Sequence, residues 1–486
     1  IFMRRIILAV IFAALLVPAF AGQPELKFHD GKFRVLQLTD LHLMPNNPAK
    51  CAETEATVRA VVKRTNPDLI LLTGDVVTYD PAWTGWKRIT DMMESLGVPY
   101  NVGMGNHDAE YLKKSDIYTY LLKSPNYVGA LNGEGVITGG GTCALEVLGA
   151  DGKPASIIYS IDSNDYPTDK RFGAYDWIHF DQLKWYRDKS AEYTAKAGKP
   201  LPSLAFFHIP LPEYAYVVDD PHTYGARHEG AGASSALNSG AFLNFMEMGD
   251  IMGVFAGHDH DNDFVGVNRG IALGFGRCTG AEAYGELERG GRVIDLTEGE
   301  RRFETYAVTP KGEEPHYYYP SGLNDEQIAK ADYRKASKVA KGKQGLRYTY
   351  LEIPNGRCKA VEQMNLMTEK GRGVMPNFDI TKAPAEDHFG YVFEGLIDIP
   401  VKGIYNFYTY SDDGSQPFID GELVVDNDGG HSARRRDGSI ALEAGLHPIK
   451  LCYFEDYMGQ ALEVGVSSLE IFEQPIPAGM LYTGRK

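Results

Sequence analysis

The apolar run Ile251–Ala256 has the length of a buried strand, and it empties directly into Gly257-His258-Asp259-His260. Alternate side chains of an extended segment share a face, so His258 and His260 can aim at one point. Imidazole is the commonest metal-binding side chain. The same ending recurs along the chain. Residues 33–38 run into Thr39-Asp40-Leu41-His42, and residues 69–72 into Thr73-Gly74-Asp75. Residues 99–102 run into Gly103-Met104-Gly105-Asn106-His107-Asp108, and residues 204–207 into His208. Each ending has a local explanation when taken alone. Asp75 suits a turn, Asn106 a helix cap, and His208 a hydrogen-bonded place in a core. Five such endings together point to a metal site.

Helix-like segments separate these strands, at residues 53–64, 86–96 and 177–193, and Asn66-Pro67 stops the first of them. Strands alternating with helices predict an α/β core. In such sheets ligands gather at the carboxyl ends of the strands, where all five endings fall. A chain of 486 residues exceeds what one hydrophobic core usually serves, so two domains are expected. The formal net charge of -16 argues against nucleic acid as a structural partner, because basic surface dominates that affinity. Phosphate substrates remain open, since bound cations can supply positive charge locally.

The donors fall into two groups, with Asp75 placed to serve both. Four imidazoles, His42, His208, His258 and His260, favour zinc or iron, and the carboxylates and the Asn106 carbonyl also admit manganese. Two such ions about 3.5–4 Å apart clamp both oxygens of an in-line displacement and acidify a bridging water. A phosphate ester is the natural substrate for that chemistry, with hydroxide attacking phosphorus in line.

Asp40-x-His42, Gly74-Asp75, Gly105-Asn106-His107-Asp108, His208 and Gly257-His258-x-His260 resemble, in order and spacing, the calcineurin-like metallophosphoesterase superfamily. Residues 175–178, 206–213, 238–240 and 257–264 resemble its purple-acid-phosphatase-related branch, nearest the plant enzymes labelled "probable inactive" and the yeast dosage-dependent cell-cycle regulator phosphatase. The resemblance implies a four-layer α/β/β/α catalytic domain over residues 26–308. It implies one metal on Asp40, His42, Asp75 and His260, and a second on Asp75, Asn106, His208 and His258. It makes His107 the catalytic histidine, with Asp108 either orienting it or serving as a helix-start acid. Purple acid phosphatases place a tyrosine ligand three residues after the bridging Asp; here Thr78 stands there and Tyr79 is one residue late. A ferric-tyrosinate band is therefore not expected. His179, His222, His228 and Glu229 are further pocket candidates, though loop residues of this kind usually face solvent.

Composition changes near Thr309. Residues 309–345 read as a linker with one short helix near 325–340. Residues 346–474 alternate short strand-like runs with Gly and Asp turns, which predicts an all-β sandwich. Residues 408–415 and 418–426 resemble the protective-antigen-type sandwich. That resemblance implies calcium-dependent glycan binding through Asp412 and Asp413, with Asp426, Asn427 and Asp428 as loop contributors. Oxygen-rich loops suit calcium, and Asp-Asp-Gly equally suits a plain turn.

Residues 1–21 read as a signal peptide, with basic Met3-Arg4-Arg5, an apolar core over residues 6–17, and the small-x-small site Ala19-Phe20-Ala21. Export to a periplasm or the medium is the expectation, with no transmembrane segment after signal removal. Five scattered cysteines form no disulfide framework. Cys358 and Cys452 share the C-terminal region and could pair. Two other readings stay open: a phosphodiesterase acting on nucleotides or lipid head groups, and a non-catalytic glycan-binding adhesion protein.

Overall fold

The structure is a computed structural model that describes residues 23–131, 137–220, 222–353, 356–471 and 473–484. The expected signal segment lies outside the described residues. The first half contains, in chain order, β1 (Leu26–Lys27), β2 (Lys32–Leu38), α1 (Pro48–Thr65), β3 (Leu69–Thr73), α2 (Ala82–Leu96), β4 (Tyr100–Gly103), α3 (Lys114–Leu121), β5 (Cys143–Leu148) and β6 (Pro154–Ser160). There follow α4 (Phe180–Ala197), β7 (Ser203–Phe206), α5 (Ala241–Met248), β8 (Ile251–Ala256), β9 (Val265–Asn268), β10 (Ile271–Phe275), β11 (Gly291–Thr297), β12 (Phe303–Val308) and β13 (Tyr317–Tyr319).

These strands form two sheets. One runs β1-β5-β6-β7-β8-β10-β9 and the other β13-β12-β11-β2-β3-β4. β2, β3 and β4 are parallel neighbours, as are β6, β7, β8 and β10. The sheets face one another through Phe33, Val35, Leu69, Leu71, Leu204 and Phe255. The alternate residues Leu36, Ile70 and Leu72 pack outward against Val58, Trp86 and Ile89 of α1 and α2. On the far side, Leu183, Tyr186 and Phe245 of α4 and α5 cover Tyr159, Ala205 and Val254. Period-two alternation thus feeds two separate cores from each strand, and the layers are helix, sheet, sheet, helix. The purely apolar β3 and β8 follow from burial on both faces.

α1 and α2 begin earlier than periodicity suggested, and α4 begins three residues later. Pro48 sits at the first turn of α1, where its missing N–H costs nothing, and the Asn47 side chain accepts from Lys50 N. Asn66 ends α1 in the left-handed conformation.

Two short stretches within residues 309–345 join sheets. β13 pairs antiparallel with β12, while Lys341–Gln344 pairs with Leu481–Gly484. The helix there spans only Asp325–Lys330, shorter than expected. Beyond it, Arg334 N and Ser337 N donate to the carbonyls of Ala441 and Leu446, so strand-side hydrogen bonds compete away the helix.

The C-terminal half is an eight-stranded sheet and a four-stranded sheet. Phe389, Phe393, Phe407, Leu451, Tyr453 and Val466 fill one core between them. A small satellite cluster contains Cys358, Met364, Cys452 and Phe454. Both of its cysteines are free thiols, so the pairing considered from sequence is not made. Among the described residues, no helix is long and apolar enough to cross a membrane.

Candidate metal centre

Asp40 and His42 follow β2, Asp75 follows β3, and Asn106 and His107 follow β4. His208 follows β7, and His258 and His260 follow β8. All eight therefore leave the carboxyl ends of parallel strands, from both sheets. The loops are stitched together by main-chain bonds, among them Asp40 N to Gly74 O, His42 N to Asp75 O and Gly257 N to His208 O. Asp40, His42, Asp75 and His258 all have positive φ, a left-handed backbone that non-glycine residues adopt at a cost. Glycines fill the positions where loops touch. A Cβ at Gly74 would run into the His208 ring, one at Gly105 into the Asp75 carboxylate, and one at Gly257 into Thr39 Oγ1.

Two clusters result. Asp40, His42 and His260 form the first, and Asp75, His208 and His258 the second, with the donor atoms of each within 4.8 Å of one another. In the first, His260 Nε2 lies 3.3 Å from Asp40 Oδ1 and 3.1 Å from His42 Nε2. In the second, His208 Nε2 lies 3.3 Å from Asp75 Oδ2 and 3.2 Å from His258 Nδ1. Asp75 Oδ2 is also 3.6 Å from His42 Nε2, so one carboxylate oxygen faces both clusters.

Surrounding bonds fix the donors. His208 Nδ1 donates to the Thr73 carbonyl at 2.9 Å, which turns Nε2 toward Asp75 and His258. Asp40 Oδ2 accepts from Thr39 Oγ1 and His258 N, and Asp75 Oδ1 accepts from His107 N. His42 Nδ1 lies 3.2 Å from Thr78 Oγ1, so Thr78 supports an imidazole. The Asn106 amide donates to Tyr166 Oη. Asp40 Oδ1 and Asn106 Oδ1 are buried and have no hydrogen-bond partner.

The electrostatics match this crowding. Burial raises the Asp40 pKa, but the adjacent His260 outweighs it and holds the carboxyl down at about 2. Burial also opposes ionisation of Asp75, and His208 overcomes it, leaving Asp75 well below the usual range. Burial lowers His42 to about 4 and, with the His208 charge, His258 to about 3. Burial likewise disfavours charge on His208, yet Asp75 and Asp40 lift it to about 10. His42 and His258 thus stay neutral, while His208 holds a proton between the two buried carboxylates, a proton that a bound cation would displace.

His107 stands at the mouth, with its ring 5.8 Å from that of His42. Its Nδ1 lies 2.7 Å from Glu110 Oε1. Asp108 does not reach the imidazole. It is buried and accepts from the amides of Val76, Val77 and Gly105, and burial followed by the Asp75 charge raises its pKa to about 7. Both readings of Asp108 from sequence are thus replaced: it latches the loops after β3 and β4. Glu110, missed in the sequence, was signalled only by its spacing of three from His107.

Of the other pocket candidates, His222 and His228 are exposed. His179 is held by Asp176 and stacks on Trp177 at the start of α4. Glu229 accepts from Tyr284 Oη, and the Tyr284 ring lies 3.9 Å from that of His260.

A third cluster joins Asp412 and Asp413, linked by a cis peptide bond, to Glu455. Asp426 and Asp428 accept from Gln416 and Val361 instead. Glu455 is fully buried with Oε1 unpartnered, and burial followed by the charges of Asp413 and Asp412 raises it to about 8. No local sequence signal marks it, because it lies on the neighbouring strand Gly445–Glu455.

Residues 33–262 match the family described as Calcineurin-like phosphoesterase, and residues 370–477 match the PA14 domain. The chain is 32% identical over 321 residues to "Probable inactive purple acid phosphatase 29" of Arabidopsis thaliana, covering 59% of this chain and 82% of that one. It is 29% identical over 280 residues to "Phosphatase DCR2" of Saccharomyces cerevisiae, covering 51% and 47% respectively. A dimetal phosphatase from Danio rerio aligns over 59% of this chain and 98% of its own, at 11% identity and a TM-score of 0.43.

Proposed function

The chain belongs to the calcineurin-like phosphoesterase family, an α/β metallophosphoesterase domain followed by a β-rich PA14 domain, and on that premise we propose that it is an exported phosphoesterase that hydrolyses phosphomonoesters. The observation that carries this reading is the shared carboxylate. One oxygen of Asp75 faces His42 on one side and His208 on the other, at 3.6 and 3.3 Å.

The donor set fits a pair of cations of the zinc, iron or manganese type. Asp40, His42, Asp75 and His260 would hold one, and Asp75, Asn106, His208 and His258 the other. The unpartnered Asp40 Oδ1 and Asn106 Oδ1 support that fit. Bound cations supply Lewis acidity toward the phosphoryl oxygens and make water nucleophilic near neutral pH. The chain's own part is geometric and protonic. The loops after the five strands hold the donors rigid, and His107 meets the departing oxygen at the mouth and gives it a proton from Nε2. Glu110 at Nδ1 keeps the imidazole turned. Related proteins carry "inactive" in their names; the intact clusters and His107 support activity in this chain.

The Asp412–Asp413–Glu455 cluster supports calcium binding in the PA14 domain, and the domain type supports a glycan partner. Such a module would hold the catalytic domain on an envelope surface.

Turnover of an aryl phosphomonoester and the matching diester, with zinc, manganese or iron added, tests the proposal. Metal-dependent monoester cleavage abolished by Asp75→Ala is the expected result. Diester preference replaces it with a phosphodiesterase. No turnover of either ester by folded protein favours the adhesion reading.

A further inference from the structure

Tyrosines surround the candidate centre. The Tyr284 ring lies 3.9 Å from the His260 ring at an angle of 30°. Tyr175 meets His258 edge-on at 4.4 Å. Tyr166 accepts the Asn106 amide and meets His107 edge-on at 6.3 Å. Tyr284 nevertheless remains 58% exposed and Tyr166 38% exposed.

The segment that carries Tyr284 is fastened from several sides. Arg289 donates to the carbonyls of Ala283 and Tyr284 at 2.6 and 2.8 Å. Asp261 Oδ1 accepts from Glu286 N and Leu287 N. Gly285 has φ of 105° and packs so close to Asp261 that a Cβ would collide with its carboxylate. Glu229 ties the system together, because Oε2 accepts from Tyr284 Oη at 2.7 Å and Oε1 accepts from Asp261 N. An exposed aromatic ring on an ordinary loop moves freely. This one is anchored at its hydroxyl and at its backbone, so its ordering cost is already met before a ligand arrives.

We propose that Tyr284, with Tyr166, forms an aromatic rim that selects phosphoesters whose leaving group is planar and aromatic, such as aryl phosphates. The inference rests on the phosphoesterase reading above and names its substrate class. A phosphoryl group held at the His42, His258 and His260 donors directs its ester substituent out past the tyrosines. A flat ring there gains stacking contact of the kind worth ~1 kcal/mol, about a fivefold preference. A flexible aliphatic alcohol gains much less and loses rotamer freedom on packing.

Calorimetric titration of the metal-loaded full chain with phenylphosphonate and with methylphosphonate separates the two levels of argument, because neither ligand is hydrolysed. We expect phenylphosphonate to bind about fivefold more tightly. Tyr284→Leu should lower the preference, and Tyr284→Leu with Tyr166→Leu should bring the two ligands to equal affinity, while Tyr284→Phe, which keeps the ring and its backbone anchors, should retain more of the preference than Tyr284→Leu. Equal affinities in the unaltered protein, or a preference that survives Tyr284→Leu with Tyr166→Leu, overturns the inference while methylphosphonate binding still upholds the phosphoesterase reading. If neither phosphonate binds, that reading fails and the inference falls with it.

Discussion

Glu110 Oε1 lies 2.7 Å from His107 Nδ1, at the rim of the centre and three residues along the chain. A carboxylate there holds the imidazole in one orientation. Glu110→Ala removes that partner, and we expect kcat to fall about tenfold with KM little changed. Glu110→Gln keeps a hydrogen-bonding partner and should retain most of the rate. An unchanged kcat in Glu110→Ala would show that Glu110 does not position the ring.

Asp108 accepts three buried main-chain amides that no other described group serves, those of Val76, Val77 and Gly105. Asp108→Ala strands these donors and loosens the loops that carry Asp75 and Asn106. A loss of about 3 kcal/mol in urea unfolding is expected. Asp108→Asn retains one acceptor oxygen and should lose less.

Gly105→Ala puts a methyl group against the Asp75 carboxylate, which faces both clusters. The far-UV spectrum should stay native while metal retained after dialysis falls from two equivalents to one or none. Unchanged metal content would detach Asp75 from the site.

Asp250 sits at the opposite end of β8, buried, and accepts from Tyr159 and Tyr186. Burial raises its pKa more than these bonds lower it. The folded state therefore binds this proton more tightly than the unfolded chain. Stability from this group is present at low pH and is lost as pH rises from the ordinary Asp value near 4 through the folded value. Unfolding midpoints of Asp250→Asn, compared with the parent across that range, should lack this fall.

Calcium should raise the melting temperature of the C-terminal half, because Asp412, Asp413 and Glu455 crowd three carboxylates into one place. Asp413→Asn should remove the calcium response measured by scanning calorimetry. A response that persists would put the ion elsewhere.

Much of this could be read along the chain. Strand endings at Asp40, Asp75, Asn106, His208 and His258 were legible because short apolar runs and their terminating residues are local features. The α/β core followed from alternating strands and helices, and the β-rich second half from short runs between Gly and Asp turns, whereas the four layers were implied only by the family resemblance. The sequence by itself determined which segments become strands and which donor types stand at their ends. Tertiary structure alone decided the partners. Asp108 and Glu110 are equally acidic neighbours of His107, and only loop packing turns one inward to the amides and the other outward to the ring. Glu455 meets Asp412 because two strands of one sandwich approach, and Tyr284 reaches His260 because Asp261 and Arg289 fold its segment back. Residue spacing governs contacts within a turn or a strand, whereas contacts between distant loops depend on sheet order and on which glycines let backbones touch.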